Sequence, residues 1–447
     1  GGGGGVVFIS GHTPGTAGSG GGGAGGSWNT GTSAISSATA GTVNTGGGGG
    51  SGQTGGAGVV ILAYPTGSIT ATGGEKTSRS DGQFVHTFKT SGTLTVGGPT
   101  FHTIAPADHF KVVTYTGNGG AQSITGVGFN PDFVWVKNRN TAGNPHEMAD
   151  IVRGVNYTLN SNSSNAQYNN SSYQFNSFNA DGFTVTDDSA GNYGVNGNGE
   201  TYVAWCWKAG GSLNTFNING TGYGSAGAAG LATGTDTPTG ASVNTKAGFS
   251  VIKLTANSTT NSNRTVAHGL GVKPSFVLFR RTSNSAWFVW SAGLTTENNY
   301  LYLQDTYGVG ALTQNANIWG NQSFTSQHIS WRNSYTFSPN EELIAYVWAD
   351  IDGYQKTGVY TGTGGALTVT TGFQPRFVMI KRTDSSGQWV MLDEPRGSGD
   401  NRLYADSNSE EHTGQGESFT STGFRPRQTT TNDTNTSGGN YIYFAIA

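Results

Sequence analysis

Charge is what this chain has least of. Asp, Glu, Lys and Arg make up 11% of its 447 residues, against about a quarter in an ordinary soluble domain, so solubility falls to Asn, Ser and Thr. The 23 basic and 26 acidic residues leave a formal net charge of -3, with no Lys/Arg cluster. A chain of that kind offers no electrostatic footprint for nucleic acid or an anionic membrane surface. A single cysteine, Cys206, excludes an intramolecular disulfide. Set between Trp205 and Trp207, it is expected to be a buried small hydrophobe and not a nucleophile. No apolar run approaches the roughly 18 residues that cross a bilayer, so membrane insertion is not expected. The chain opens on five glycines without a methionine and is expected to be part of something longer.

Catalytic constellations are scarce as well. None of the eight histidines stands in HExxH or another spacing that brings two metal ligands onto one element. His146-Glu147 follows Asn144-Pro145 and is expected to be a solvent-exposed loop pair. Asp187-Asp188 and Asp350-Ile351-Asp352-Gly353 offer oxygen ligands, but neither continues into a full calcium loop. Glycoside cleavage needs two carboxyl groups facing each other across roughly 5–10 Å. Glu341-Glu342 and Glu410-Glu411 are adjacent in sequence, and nothing singles out Asp181, Asp187 and Glu200 as a groove. The expectation is a protein without catalytic residues, metal or cofactor.

What the chain does have is repetition. Tyr115-Thr116-Gly117 followed by Gly128-Phe129-Asn130-Pro131-Asp132-Phe133 returns about 245 residues later as Tyr360-Thr361-Gly362 and Gly372-Phe373-Gln374-Pro375-Arg376-Phe377. Gly271-Val272-Lys273-Pro274-Ser275-Phe276 is a diverged third copy. Each copy closes on an aromatic and alanine strand: Tyr202–Trp207, Ile344–Ala349 and Tyr441–Ala447. Phe133–Val136 and Phe377–Ile380 are apolar runs too short for a helix, and suit strands covered on both faces. The proline two residues earlier has no amide hydrogen to donate, which suits a strand entrance.

The fold class predicted is all-β: a glycine-rich N-terminal domain and three repeated antiparallel β-sandwich, jelly-roll-like modules. The boundaries are 1–65 for the glycine-rich domain, 66–108 for a β-hairpin bridge pairing Gln83–Lys89 with Leu94–Val96, 109–210 for the first module, 211–246 for a Gly/Ala/Thr linker with at most one short strand, 247–352 for the second module and 353–447 for the third. Glycine tracts can pack as three-residue-per-turn extended helices where no side chain holds backbones apart. The competing reading of residues 1–65 is a flexible linker.

Ten Trp, 18 Tyr and 22 Phe are many for so uncharged a chain. Trp135, Trp205, Trp207 and Trp348 lie in strand patterns and are assigned to cores. Tyr157, Tyr168, Tyr173, Tyr193 and Trp319 lie in polar stretches and are the candidates for receptor or glycan contact, since aromatic rings beside amides and hydroxyls suit a sugar's apolar face and polar edge.

The stretch Gly372–Thr383, with Gly387-Gln388-Trp389, Ser421-Thr422-Gly423-Phe424 and Tyr441-Ile442-Tyr443, resembles the repeated modules of tail-fibre-like virion proteins of marine, cyanophage-like bacteriophages. Asp181-Gly182-Phe183-Thr184-Val185 with Tyr202–Gly210 is similar to another spelling of the same module. Gly58–Pro65 and His86–Val96 resemble the glycine-rich domain that accompanies it. The resemblance implies a structural component on the virion surface, associated with host recognition and without transferable catalytic residues. The partners it implies are copies of the same chain in a homotrimer, other virion proteins and bacterial surface glycan.

Overall fold

The computed structural model describes residues 16–17, 19–28, 34–50, 52–65, 70–79, 83–97, 105–169, 174–186, 194–256, 262–294, 298–309, 318–320, 322–332, 337, 339–427 and 434–447. These fall into two compact units, 1–103 and 104–447. The fold is all-β; among the described residues the one helical element is the 3-10 turn Pro106–Asp108.

In the first unit, glycine segments without regular strand pairing are joined by backbone hydrogen bonds. Thr42 N–H donates to Gly21 O (2.8 Å) and Thr39 N–H to Ala24 O (3.0 Å), so two segments running in opposite directions meet every third residue. Three residues per turn is the repeat of an extended polyglycine helix. The spacing leaves no room for a side chain: a Cβ on Gly47 would stand 2.1 Å from Gly21 O, and one on Gly50 2.0 Å from Ala24 O. The expected bridge hairpin is replaced by other partners. Gln83–Phe88 pairs with Val60–Pro65 on one side and Glu75–Ser78 on the other, while Thr95–Gly97 pairs with Thr70–Thr72. Strand propensity alone could not choose between these pairings, because register is set by what the neighbouring segments bury.

The second unit holds three sheet pairs. In the first module a six-stranded sheet faces a three-stranded one, and in the third a five-stranded sheet faces a three-stranded one. In each large sheet the closing aromatic strand is central, between the opening strand and the strand that follows the Gly-x-x-Pro turn. Thus Trp207 pairs with Phe110 and Phe133, Trp348 with Phe249 and Phe276, and Ile446 with Gln355 and Phe377. These registers put the three copies into residue-by-residue correspondence.

The segment expected to be a linker is part of the second module. Phe216–Ile218, Thr221–Tyr223 and Pro238–Asn244 extend its large sheet to eight strands, with Pro238–Asn244 antiparallel to Phe249–Thr255. Its small residues hid the strand signal, yet they allow the close approach: Ala241 and Val243 are fully buried, and a Cβ on Gly240 would come 3.1 Å from Val152 Cγ1.

Strand alternation divides each large sheet between two cores. Phe133 and Trp135, Phe276 and Leu278, and Phe377 and Met379 point into one core shared by all three modules. The intervening residues, Val134 and Val136, Val277 and Phe279, and Val378 and Ile380, point into the module's own core beneath its small sheet. That is why those runs are apolar at every position. Trp207 lies at the centre, with its ring 4.9 Å from Phe110 and 5.0 Å from Phe133 within its own module, 6.1 Å from Trp348 of the second and 6.2 Å from Phe377 of the third. Cys206, one residue earlier, faces the first module's own core, and burial pushes its thiol pKa up.

Candidate functional site

Around the shared core each module grips the next in the same direction. Trp287 Nε1 of the second module donates to Asn160 O of the first (2.8 Å), and Trp389 Nε1 of the third to Tyr302 O of the second (2.8 Å). The corresponding residue of the first module is His146, whose Nε2 lies 2.9 Å from Tyr404 O of the third. The ring of contacts is therefore closed, with a histidine at one of the three places. The expectation that His146 and Glu147 form an exposed pair is corrected: both are buried, because His146 occupies the place of an interface tryptophan.

A polar set repeats at two of the three interfaces. Between the third module and the first, Arg396 donates through Nε to Asp393 (2.7 Å) and through Nη1 to Glu411 (2.9 Å), and Glu411 also accepts from Arg139. Between the first and second, Arg153 pairs with Asp150 and reaches Gln167 Oε1 at 3.4 Å. Trp205 Nε1 and Tyr346 Oη, at matching positions on the closing strands, donate to Asp393 and Asp150 across these same interfaces. The backbone fixes the correspondence: Glu411, Gln167 and Val309 each donate their N–H across an interface, to Arg139, Thr282 and Thr383 carbonyls.

Between the second and third modules the set is gone. Ser291 stands where the aspartates are, Leu294 where the arginines are, and Val309 where Glu411 and Gln167 are. Beside these shorter, uncharged side chains lies a cleft of about 470 Å³ lined by Gly293, Leu294, Asn299, Val309, Val359, Tyr360, Thr361, Thr383, Asp384, Asn440 and Tyr441. That volume lies within the roughly 300–1,000 Å³ of small-molecule sites. The cleft has an apolar side, from Leu294, Val309 and the exposed Val359, and a neutral polar side of Thr and Asn. Among the described lining residues the one carboxylate is Asp384, held 2.8 Å from Arg382. Partial burial opposes ionisation of Asp384, but the Arg382 contacts hold its pKa below the usual range. The arrangement can bind an uncharged molecule with one apolar face. A second hollow, of about 410 Å³, has Asp132 in its wall. That carboxylate already accepts from the Ala209 and Gly211 amides, as a joint in the fold.

Of the residues singled out in the sequence, Tyr157, Tyr168 and Trp319 do not line either hollow. Tyr157 and Tyr168 are half-buried on short strands of the first module's large sheet, and Tyr168 Oη bonds to Glu147. Trp319 is not on the surface: it is fully buried in the second module's core, its Nε1 donating to Asn299 O at 3.3 Å, so the surface reading is corrected there. Tyr173 and Tyr193 lie outside the described residues. The cleft residues were missed because none is unusual by type. Their signal is a departure from the repeat, Ser-Ala-Gly-Leu at 291–294 against Asp-Ile-Val-Arg at 150–153 and Asp-Glu-Pro-Arg at 393–396.

Residues 105–447 match the family model described as a domain of unknown function, DUF7483. The chain belongs to that family. The matched DUF7483 residues take in all three modules and the shared core, and the match begins just after the glycine-rich unit. No curated protein matches the chain.

Two buried histidines of the DUF7483 region predict its acid sensitivity. Trp135 Nε1 donates to His146 Nδ1 (2.8 Å), which leaves Nε2–H to donate to Tyr404 O. Leu270 N–H likewise donates to His268 Nδ1 (3.2 Å), with Nε2 facing Thr325 O (3.2 Å). A second proton on either ring would point at an N–H donor. Burial, the larger cause, and the nearby Lys137 hold His146 well below its ordinary value, and burial lowers His268 to about 4. Below about pH 6.5 the unfolded chain takes up protons that the folded chain refuses, so stability is full above that pH and falls as the pH drops from about 6.5 toward 4. Urea midpoints measured at pH 7 and pH 5 should fall with acid in the wild type, and by clearly less in a His146→Gln/His268→Gln variant. An equal fall in both would refute the assignment.

Proposed function

We propose that the protein is a non-enzymatic structural protein of a bacteriophage virion, a tail fibre or similar surface fibre, that attaches to glycan on the host surface. The observation that carries this reading is the cleft. Of three matching interfaces one has given up its buried polar set, leaving an open concavity with an apolar side and neutral polar groups on a surface otherwise poor in charge. Loss of buried ion pairs at one interface alone is what a ligand site would require there. A head whose modules share one core holds such a site rigidly, and copies of the chain in a particle would add weak contacts by multivalency.

Incubating the purified full chain with surface polysaccharides of candidate marine bacterial hosts tests this. Saturable binding with no new reducing ends is the expected result. Release of reducing ends would make it a depolymerising fibre, and neither binding nor release would leave a purely structural virion component, such as a capsid-decoration or tail accessory protein.

A further inference from the structure

We infer that the cleft between the second and third modules is a binding site for a single uncharged saccharide ring with an apolar face, such as a 6-deoxy or N-acetylated sugar. This rests on the attachment reading and names the place and the ligand class. At the other two interfaces the same volume is taken by an arginine and by the carboxylate or amide it holds: Arg396 with Glu411, and Arg153 with Gln167. Leu294 and Val309 end short of that volume and supply apolar surface in its place. Val359, 59% exposed, extends this surface to the mouth of the cleft. The lining also holds the hydroxyl of Thr361, which donates to Asn440 Oδ1 (3.3 Å) and can still accept, and the Asn440 amide nitrogen, which can donate. A sugar ring has this same division, with C–H groups on one face and hydroxyls at the edge.

Charge excludes the alternatives. The guanidinium nearest the wall, Arg382, is already committed to Asp384. A carboxylated or sulfated sugar would therefore enter beside a carboxylate and meet no cation among the described lining residues.

The probes are L-rhamnose, L-fucose, N-acetylglucosamine and glucuronic acid at millimolar concentration, read by saturation-transfer NMR from the methyl groups of the intact chain. Transfer is expected to at least one of the three neutral sugars and not to glucuronic acid. A Leu294→Arg/Val309→Glu variant, which restores the arginine and the glutamate found between the third and first modules, should weaken that binding by at least tenfold. Should this variant fail to fold, Val359→Lys serves instead. The position is exposed, and Lys253 stands at the matching place in the second module. Transfer to glucuronic acid in preference to the neutral sugars, or equal transfer in wild type and variant, would overturn the proposal. If host polysaccharide still binds the wild type and the filled-cleft variant alike, only this site is wrong. If polysaccharide and sugars both fail to bind the wild type, the attachment reading falls with it.

Discussion

Trp207→Ala is expected to destabilise the whole of residues 104–447 and not the first module alone. The indole is 2% exposed and touches aromatic rings of all three modules. Truncating a buried tryptophan costs about 3–5 kcal/mol, through lost transfer free energy and the cavity left behind. Because the cavity would sit where the three large sheets meet, no module can repack around it independently. Urea unfolding followed by tryptophan fluorescence and by far-UV circular dichroism should show a lower midpoint for one coincident transition. Excision gives the complementary result. Residues 353–447 alone would expose Phe377, Met379, Phe444 and Ile446, which the shared core buries, and should show no cooperative transition. Two separated transitions in the variant, or cooperative unfolding of the excised module, would contradict a shared core.

The repeat was legible in the sequence, and so was much of the strand content, because both are local. Four apolar residues after Gly-x-x-Pro announce a strand buried on both faces, and Phe133–Val136 is that strand. What covers the second face was not legible. A run such as Phe-Val-Trp-Val fits a sandwich whose second face meets a helix, a partner chain or a sister module equally well, and only the tertiary arrangement names the sister module. The same limit explains residues 211–246. Gly, Ala and Thr carry little apolar signal, yet Pro238–Asn244 is a strand because the edge of Phe249–Thr255 needs a partner and Val152 needs a small neighbour. In the first unit composition allowed both glycine packing and a flexible linker, and the close backbone approaches at Gly47 and Gly50 belong to the first of these. The candidate site was sought among conspicuous tyrosines. It lies where Leu294 and Val309 replace polar residues, and a leucine carries no signal until the position it has left can be read from the other two copies.

That comparison yields a second large effect, at the interface of the third and first modules. Arg396→Leu alone is expected to cost about 3–5 kcal/mol, because it strips Asp393 and Glu411 of a cation in a place where Arg396 and Asp393 have no exposed side-chain surface. Asp393 keeps the Trp205 indole donor at 2.9 Å, which does not offset the lost guanidinium, whereas Glu411 stays paired with Arg139 at 2.8 Å. The triple change Asp393→Ser/Arg396→Leu/Glu411→Val copies what the chain already uses between its second and third modules, Ser291, Leu294 and Val309. Replacing a whole buried ionic set by apolar groups is often neutral or stabilising. Here the buried Trp205 N–H loses its acceptor, at about 1–3 kcal/mol, while Arg139, with its side chain 24% exposed, can turn its guanidinium to solvent. The triple variant should therefore be more stable than the single one in urea melts, with part of the loss recovered, although it departs further from the native sequence. A triple variant less stable than the single would mean that each ionic contact stabilises on its own account. In that case the opening at the second and third modules was bought with stability.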